Sequence, residues 1–590
     1  MERLETYRIA KKIMQYCIYL FSAFVFFVLK AVPYVNEDIF ICISILILTY
    51  FVGKDFYNAF TFFKDSGKYA KSNILFLIPC SLIISFSIGA NNWFYHDYWG
   101  YWAPKLRGGV CWLAVTFYTA LLCIVVNYWV TARVLPDNNK FEKNFKYVVF
   151  VVFLSSGILY LIAYNPAHMH ADTYAQLRQV FGMDPLHDWH PVFHTLLIKI
   201  FLNICQSPGF FAVFHIAMFA YVMMLWLIKL REKGISQKFL LFFSCTFYLN
   251  IAYGFLITDI WKDNIYNILV IWLTYILYCM VDDFQKFDHK VSNYILIIVC
   301  AVGIYFTRHN GIVPAVFMLV FCLFKGMKER IRKLIFTGVI IGIMCFIVKP
   351  TFYNLADVLP NENGIKYIPI VHDIASVLVC NQGENLSNEV VEEMESIIPL
   401  EQWTEKFQAT DSDMYTFHTE QFLPNLNKKT TGKMLLIYIR AALGDPFRLI
   451  GARLMSVQEL WSVFKRAGQG DYLGEKTNAP EIERDFGFVR KENFLTETAD
   501  KMYDIYENSR FLNTIFYRVG LWMDLMIIAV FIVLINRKLR KFLVVLIPIF
   551  GYMVSLLIAM TCQNLRYVWA VFPIAILFFL LVIAECYRAE

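Results

Sequence analysis

The run Gly109-Val-Cys-Trp-Leu-Ala-Val-Thr-Phe-Tyr-Thr-Ala-Leu-Leu-Cys-Ile-Val-Val-Asn-Tyr-Trp-Val-Thr-Ala132 carries no charged residue. At 1.5 Å per residue a helix of this length reaches ~36 Å, enough to cross the ~30 Å hydrocarbon layer of a bilayer. Similar runs recur along the 590 residues, beginning with Ile13–Val32. Composition agrees: 58% of residues are hydrophobic, 17% are charged, and mean hydropathy is +0.51. Soluble domains average roughly 25% charged residues. The chain therefore reads as an all-α polytopic membrane protein, which excludes a nucleic-acid binder, a secreted disulfide scaffold and a disordered chain. Most of the fourteen cysteines lie inside apolar runs and none forms a C-x-x-C pair, so they read as small hydrophobes.

Outward from that run, spans are expected near 13–32, 39–53, 74–92, 109–132 and 147–164. Others follow near 208–230, 239–257, 265–280, 292–307, 312–324 and 334–348, and a last group near 515–535, 542–560 and 567–584. This makes about fourteen. With a cytoplasmic N-terminus, the short cytoplasmic segments carry 28 Lys and Arg, against 7 in the short outward ones. That bias sets the orientation by the positive-inside rule. Met1–Lys12 is basic and leads into a full-length span, so it reads as an uncleaved first helix.

Four regions follow: a four-span N-terminal membrane bundle (1–146), a membrane core (147–349) with the outward loop 165–207, a mainly helical extracytoplasmic insertion (350–514), and a three-span C-terminal segment (515–590). The insertion holds 25 of the 47 acidic residues. Within it Leu386–Phe407 reads as one amphipathic helix, and Met434–Phe464 as a long one interrupted at Asp445-Pro446. The mildly apolar stretch His190–Ile204 reads as an interfacial helix, because counting it as a span would put Lys229–Lys238 on the outer face.

Five of the eleven histidines and three aspartates fall between His168 and His194. Asp172 opens a short amphipathic helix, and Pro191 suits the first turn of the next. His190 and His194, four apart, would share one face of that second helix. Two chemistries compete. Asp172 could act as a general base on an acceptor hydroxyl. Alternatively, Asp172, His170 and a second-helix residue such as His190 could hold a divalent metal ion, the one cofactor candidate. Three further connectors place a cation on the same side: Lys262 in Thr258–Asn264, Arg308 in Thr307–Gly311, and Arg566 in Asn564–Tyr567. Arginine makes bidentate contacts to phosphate and lysine offers a point charge, so the three together suit a lipid-phosphate headgroup.

The stretch Ala171-Asp172-Thr-Tyr-Ala-Gln through His190-Pro191-Val-Phe-His194-Thr, with the later connectors, resembles the GT-C superfamily of integral-membrane glycosyltransferases. Protein O-mannosyltransferases and aminoarabinose lipid A transferases belong to that superfamily. The resemblance covers roughly 165–584. It departs from the family in having Asp172 without a neighbouring acid, five spans before the motif, and the insertion ahead of the last three spans. It implies a GT-C-like core that transfers a sugar, with inversion, from a polyprenyl-phosphate donor to a glycan or polymer acceptor on the extracytoplasmic side. Asp172 and His170 would be catalytic, Lys262, Arg308 and Arg566 would hold the donor phosphate, and Tyr174, Asp188, His190, His194, Asp259, His309 and Asn310 would bind substrate. A lipid-linked saccharide flippase and a metal-dependent phosphotransferase or phosphatase are the rival expectations.

Overall fold

The computed structural model describes residues 38–65, 71–93, 106–132, 144–380, 383–464 and 476–589, with scattered positions between 12 and 29. The first expected span, 13–32, is described only in part, and residues 94–105 and 133–143 fall outside the described residues. Among those described, every element is helical and the remaining pairings are isolated bridges. Eight helices are long and apolar enough to cross a membrane, or up to ten if each of two bent pairs is one span. The chain is a multi-pass membrane protein.

The membrane-type helices are α1 (Ile39–Asp65), α2 (Lys71–Trp93), α3 (Leu106–Ala132) and α4 (Phe145–Ala163). After α4 come two short helices, α5 (Ala171–Val180) and α6 (Val192–Ile204), and then α7 (Pro208–Glu232). The expected span 239–257 is broken: α8 (Gln237–Cys245) runs on to Tyr248 and meets α9 (Ile251–Thr258) at 67°. Asn250 restarts the chain as an N-cap, its side chain accepting from the Tyr253 amide at 2.9 Å. At Gly254 an added Cβ would stand 2.3 Å from the Tyr160 ring, so only glycine lets α9 press this closely on α4.

Next come α10 (Lys262–Asp282), α11 (Val291–Thr307), α12 (Ile312–Lys328) and α13 (Arg332–Ile343). A π-helical turn, Met344–Val348, joins α13 to α14 (Lys349–Leu355). At the end of the bundle away from α5, Lys233 pairs with Asp282 and, at 2.7 Å, with Glu585, tying α7 and α10 to the last helix.

The insertion is not one unit. It contains α15 (Ile368–Cys380), α16 (Asn388–Glu395), α17 (Leu400–Lys406), α18 (Thr431–Gly444) and α19 (Pro446–Ser456). These pack around their own core, with Trp403, Tyr415, Phe422 and Met434 fully buried. From Val457 onward the chain joins the main core instead, through Tyr503 and Tyr506 on α20 (Phe494–Asn508). The helix expected across Leu386–Phe407 is split into α16 and α17, because Pro399 cannot sit in a helix interior and instead caps α17. The break at Asp445-Pro446 is present, with Asp445 accepting from the Arg448 amide at 3.2 Å.

The N-terminus of α20 fastens the loop end of α4. Asn493 and Thr496 form a capping box. Asn493 also donates to the Ile162 carbonyl at 2.8 Å and Thr496 to that of Ala163 at 2.6 Å. Those carbonyls have no partner within their own helix. The chain before α20 holds the next residues: the Lys491 amide donates to Asn165, the Ala479 amide to Met169, and the Met169 amide to Asn478. The bundle closes with α21 (Arg510–Phe516), bent 51° from α22 (Val519–Ile535), then α23 (Ile547–Ala559) and α24 (Val571–Ala589).

Candidate functional site

Three connectors meet beside the first turn of α5. Asp172 is the second residue of that helix, where the partial positive charge of the helix terminus favours a carboxylate. Its Oδ2 accepts from Lys262 Nζ at 2.9 Å and from Arg566 Nη1 at 3.0 Å. Lys262 opens α10 and also donates to His190 Nδ1 at 3.2 Å. Residue 263, one step on, pairs with Arg308, and its other oxygen lies 4.0 Å from Arg566. The structure thus brings Asp172, Lys262, Arg308, Arg566 and His190 into one cluster together with Asp263.

Aromatic rings set the guanidiniums. Arg566 lies 4.3 Å from the Trp261 ring centre and 4.8 Å from that of Tyr567, whose hydroxyl it also contacts at 2.8 Å. Arg308 sits 4.3 Å from the same Tyr567 ring. The backbone below is locked by Asn267, which donates to the Arg566 carbonyl at 2.9 Å, and by Asn264, which donates to the Leu256 and Asp259 carbonyls.

The electrostatics follow. Burial alone would raise the Asp172 pKa, but Lys262 and Arg566 outweigh it and hold the carboxyl well below its usual range. Burial and the neighbouring Lys262 ammonium push His190 down to about 3, so its ring is neutral. Three fixed cations then face two carboxylates, Asp172 and Asp263. Asp259 and Asp413 also lie within electrostatic reach of Arg566, and Asp172 keeps 27% of its side chain exposed.

The other expected residues divide. His170 turns from Asp172 to Asp259, with Nε2 2.9 Å from Oδ2, and its ring stacks on Trp261. Asp188 and His309 face each other at 3.8 Å, and Asn310 donates to Ser555 at 3.3 Å. Two expectations change. Tyr174 leaves the cluster: its hydroxyl donates to Asp485 at 2.6 Å, because residues two apart lie on nearly opposite faces of a helix. His190 and His194 do not share a helix face, since the helix begins only after Pro191. His194 is fully buried beneath the site against Gln176 and Phe211.

The metal set Asp172, His170 and His190 is not assembled either. Lys262 and Arg566 occupy the place a cation would take on Asp172, and His170 is turned to Asp259. The ligand-type group that does converge among the described residues is Asp411, Asp413 and Cys562, with atoms within 4.8 Å of one another. Burial and the adjoining Asp411 push Asp413 up to about 6, with Arg566 and Asp172 in electrostatic reach. The sequence reading missed Asp263, Trp261 and Tyr567. The first two flank Lys262 in the connector already singled out, and an aromatic next to an interfacial cation is the signal for Trp261 and Tyr567.

Asp259 yields a pH test. Burial pushes its carboxyl up to about 6, against the pull of His170. The native state therefore holds a proton that the unfolded chain releases near pH 4. Stability from this group is full below that pH and falls as pH rises through about 6. Asp259→Asn removes the slope, worth at most about 3 kcal/mol over that window. Thermal midpoints of the two proteins in detergent should diverge between pH 4 and pH 7 in the variant's favour. Parallel curves would refute the assignment.

Comparison with protein-family models, curated protein sequences and solved structures finds no match to this chain.

Proposed function

We propose that the protein is a GT-C-like membrane glycosyltransferase that moves a sugar from a polyprenyl-phosphate donor to a glycan or other polymer acceptor, with inversion. In this reading about fourteen spans cross the plasma membrane, the N-terminus is cytoplasmic and the Asp172 cluster faces outward. The observation that carries it is the Asp172–Lys262–Arg566 cluster: a partly exposed carboxylate held by two cations at one end of an apolar helix bundle.

The cations Lys262, Arg308 and Arg566 suit a lipid phosphate, whose prenyl tail would lie among the apolar helices. An arriving phosphate competes with Asp172 for Lys262 and Arg566. As the cations turn to the ligand, Asp172 loses the partners that depress its pKa and becomes a better proton acceptor. It then takes the proton of the acceptor hydroxyl as that oxygen attacks the anomeric carbon, and the lipid phosphate departs onto Lys262, Arg566 and Arg308. Fixed cations at the leaving phosphate supply the larger share of rate enhancement.

The test is purification followed by mass spectrometry of bound lipid, and turnover with polyprenyl-phosphate sugars. Polyprenyl phosphate should co-purify and label should reach the acceptor. Absence of both would reject the reading. A second reading, metal-dependent phosphotransfer, is favoured by Asp411, Asp413 and Cys562 near Arg566. Loss of activity with chelator, restored by a divalent ion, would support it.

A further inference from the structure

A second group of polar side chains lies two residues along the loop from His190. Asp188 is held by a short pairing of the loop with the chain leaving α14. Its amide donates to the Leu359 carbonyl at 2.9 Å, and the Leu359 amide donates to Leu186 at 2.8 Å. Facing Asp188 are His309 and, from the loop-side end of a membrane helix, Lys349 and Tyr353. The π turn Met344–Val348 shifts the helix register immediately before Lys349. Such turns recur at functional sites. Lys349 and Tyr353, four residues apart in α14, share one face.

Lys349 is 5% exposed. No carboxylate lies within 4.0 Å of its ammonium among the described residues, and its one hydrogen bond is a 3.4 Å contact to the Tyr305 carbonyl. Its charge rests on the Tyr305 ring, 3.8 Å away. Around it, Asp188 Oδ1, His309 Nε2 and Asn310 Oδ1 are buried without a well-formed hydrogen bond, and the Tyr353 hydroxyl turns toward Asp188. Groups of this kind are costly to leave unmet.

The chemistry of the set is mixed. Asp188 and Asn310 offer acceptors, Lys349 offers donors, and Tyr353 and His309 can do either. A phosphate, which only accepts, would be repelled by Asp188. A ring bearing several hydroxyls, each both donor and acceptor, satisfies all of them, with Tyr305 as an apolar wall. Position agrees. Asp188 and His190 are two residues apart, at most about 7 Å along the chain, so a sugar joined to a phosphate at Lys262 and Arg566 reaches this group directly. Resting on the glycosyltransferase reading, we propose that Asp188, His309, Asn310, Lys349 and Tyr353 form the subsite that binds the hydroxyls of the donor's sugar ring.

The experiment compares binding of bare polyprenyl monophosphate with that of polyprenyl-phosphate hexoses and pentoses, by native mass spectrometry of the purified full-length protein. Wild type should bind at least one sugar-bearing lipid more tightly than the bare phosphate. Tyr353→Phe and Asp188→Asn should each erase that preference, weakening the sugar-bearing lipid about tenfold or more, while affinity for the bare lipid changes less than twofold. Tyr353→Phe removes one oxygen and guards against misfolding, and thermal midpoints check both variants. Equal loss of both lipids, or no sugar preference in wild type, overturns the subsite but leaves the phosphate site standing. Failure of wild type to bind either lipid overturns the glycosyltransferase reading itself, and the subsite with it.

Discussion

Asp172→Asn should lower sugar transfer by about 10³-fold while leaving the protein folded and its affinity for polyprenyl phosphate equal or higher. The asparagine keeps the shape of the carboxylate but cannot take a proton, and general-base catalysis contributes ~10²–10⁴-fold. Phosphate affinity moves the other way for a separate reason. In the native protein Asp172 holds Lys262 and Arg566 at 2.9 and 3.0 Å and competes with the ligand for both. A neutral amide competes poorly. Turnover and lipid binding measured on the same preparation would show opposite changes. Retained turnover would remove Asp172 from the proton transfer, and a parallel fall in binding would make the residue merely structural.

The second large effect concerns stability. Asp263 is fully buried at the start of α10, and Arg308 from the next connector pairs with it. Replacing Arg308 with methionine leaves a buried carboxylate with only the distant Arg566 Nε, 4.0 Å away. Breaking a buried pair by removing one partner typically costs about 3–5 kcal/mol. The double variant Arg308→Met with Asp263→Asn should regain most of that loss, giving a coupling of about 2 kcal/mol or more in a double-mutant cycle. Additive losses would mean that the pair is not coupled in the folded protein. Under the proposed glycosyltransferase reading, the double variant should still bind lipid phosphate less well, because one of the three cations proposed to meet it is gone.

The helical, membrane-embedded character of the chain was legible from apolar run length alone, because a bilayer imposes a minimum span. The gathering of three connectors on one side was legible from the alternation of basic and apolar segments. What the runs concealed were breaks inside them. Asn250 and the 67° bend after Tyr248 lie in an apolar stretch that reads as one span. Lys349 follows another such stretch and was not singled out from the sequence, yet the π turn and three rings hold it inward. Tyr174 was misplaced although helix geometry alone separates it from Asp172. The pairings of Asp263 with Arg308 and of His170 with Asp259 join residues whose proximity only the folded bundle creates.

The second cation on Asp172 is 394 residues further along the chain, and the fastening of Asn165 and Met169 comes from 478–491. During synthesis, the loop bearing Asp172 reaches the membrane surface long before Arg566 leaves the ribosome. Until then Lys262 is its sole ionic partner, although the end of α4 is fastened earlier, once Asn493 and Thr496 have emerged. The centre therefore matures late: a polypeptide cut short before the connector Asn564–Tyr567 lacks Arg566 and leaves Asp172 with Lys262 alone. Under the proposed glycosyltransferase reading, chains ending before and after Arg566 would differ in affinity for lipid phosphate, and equal affinities would count against that arginine's part in the centre.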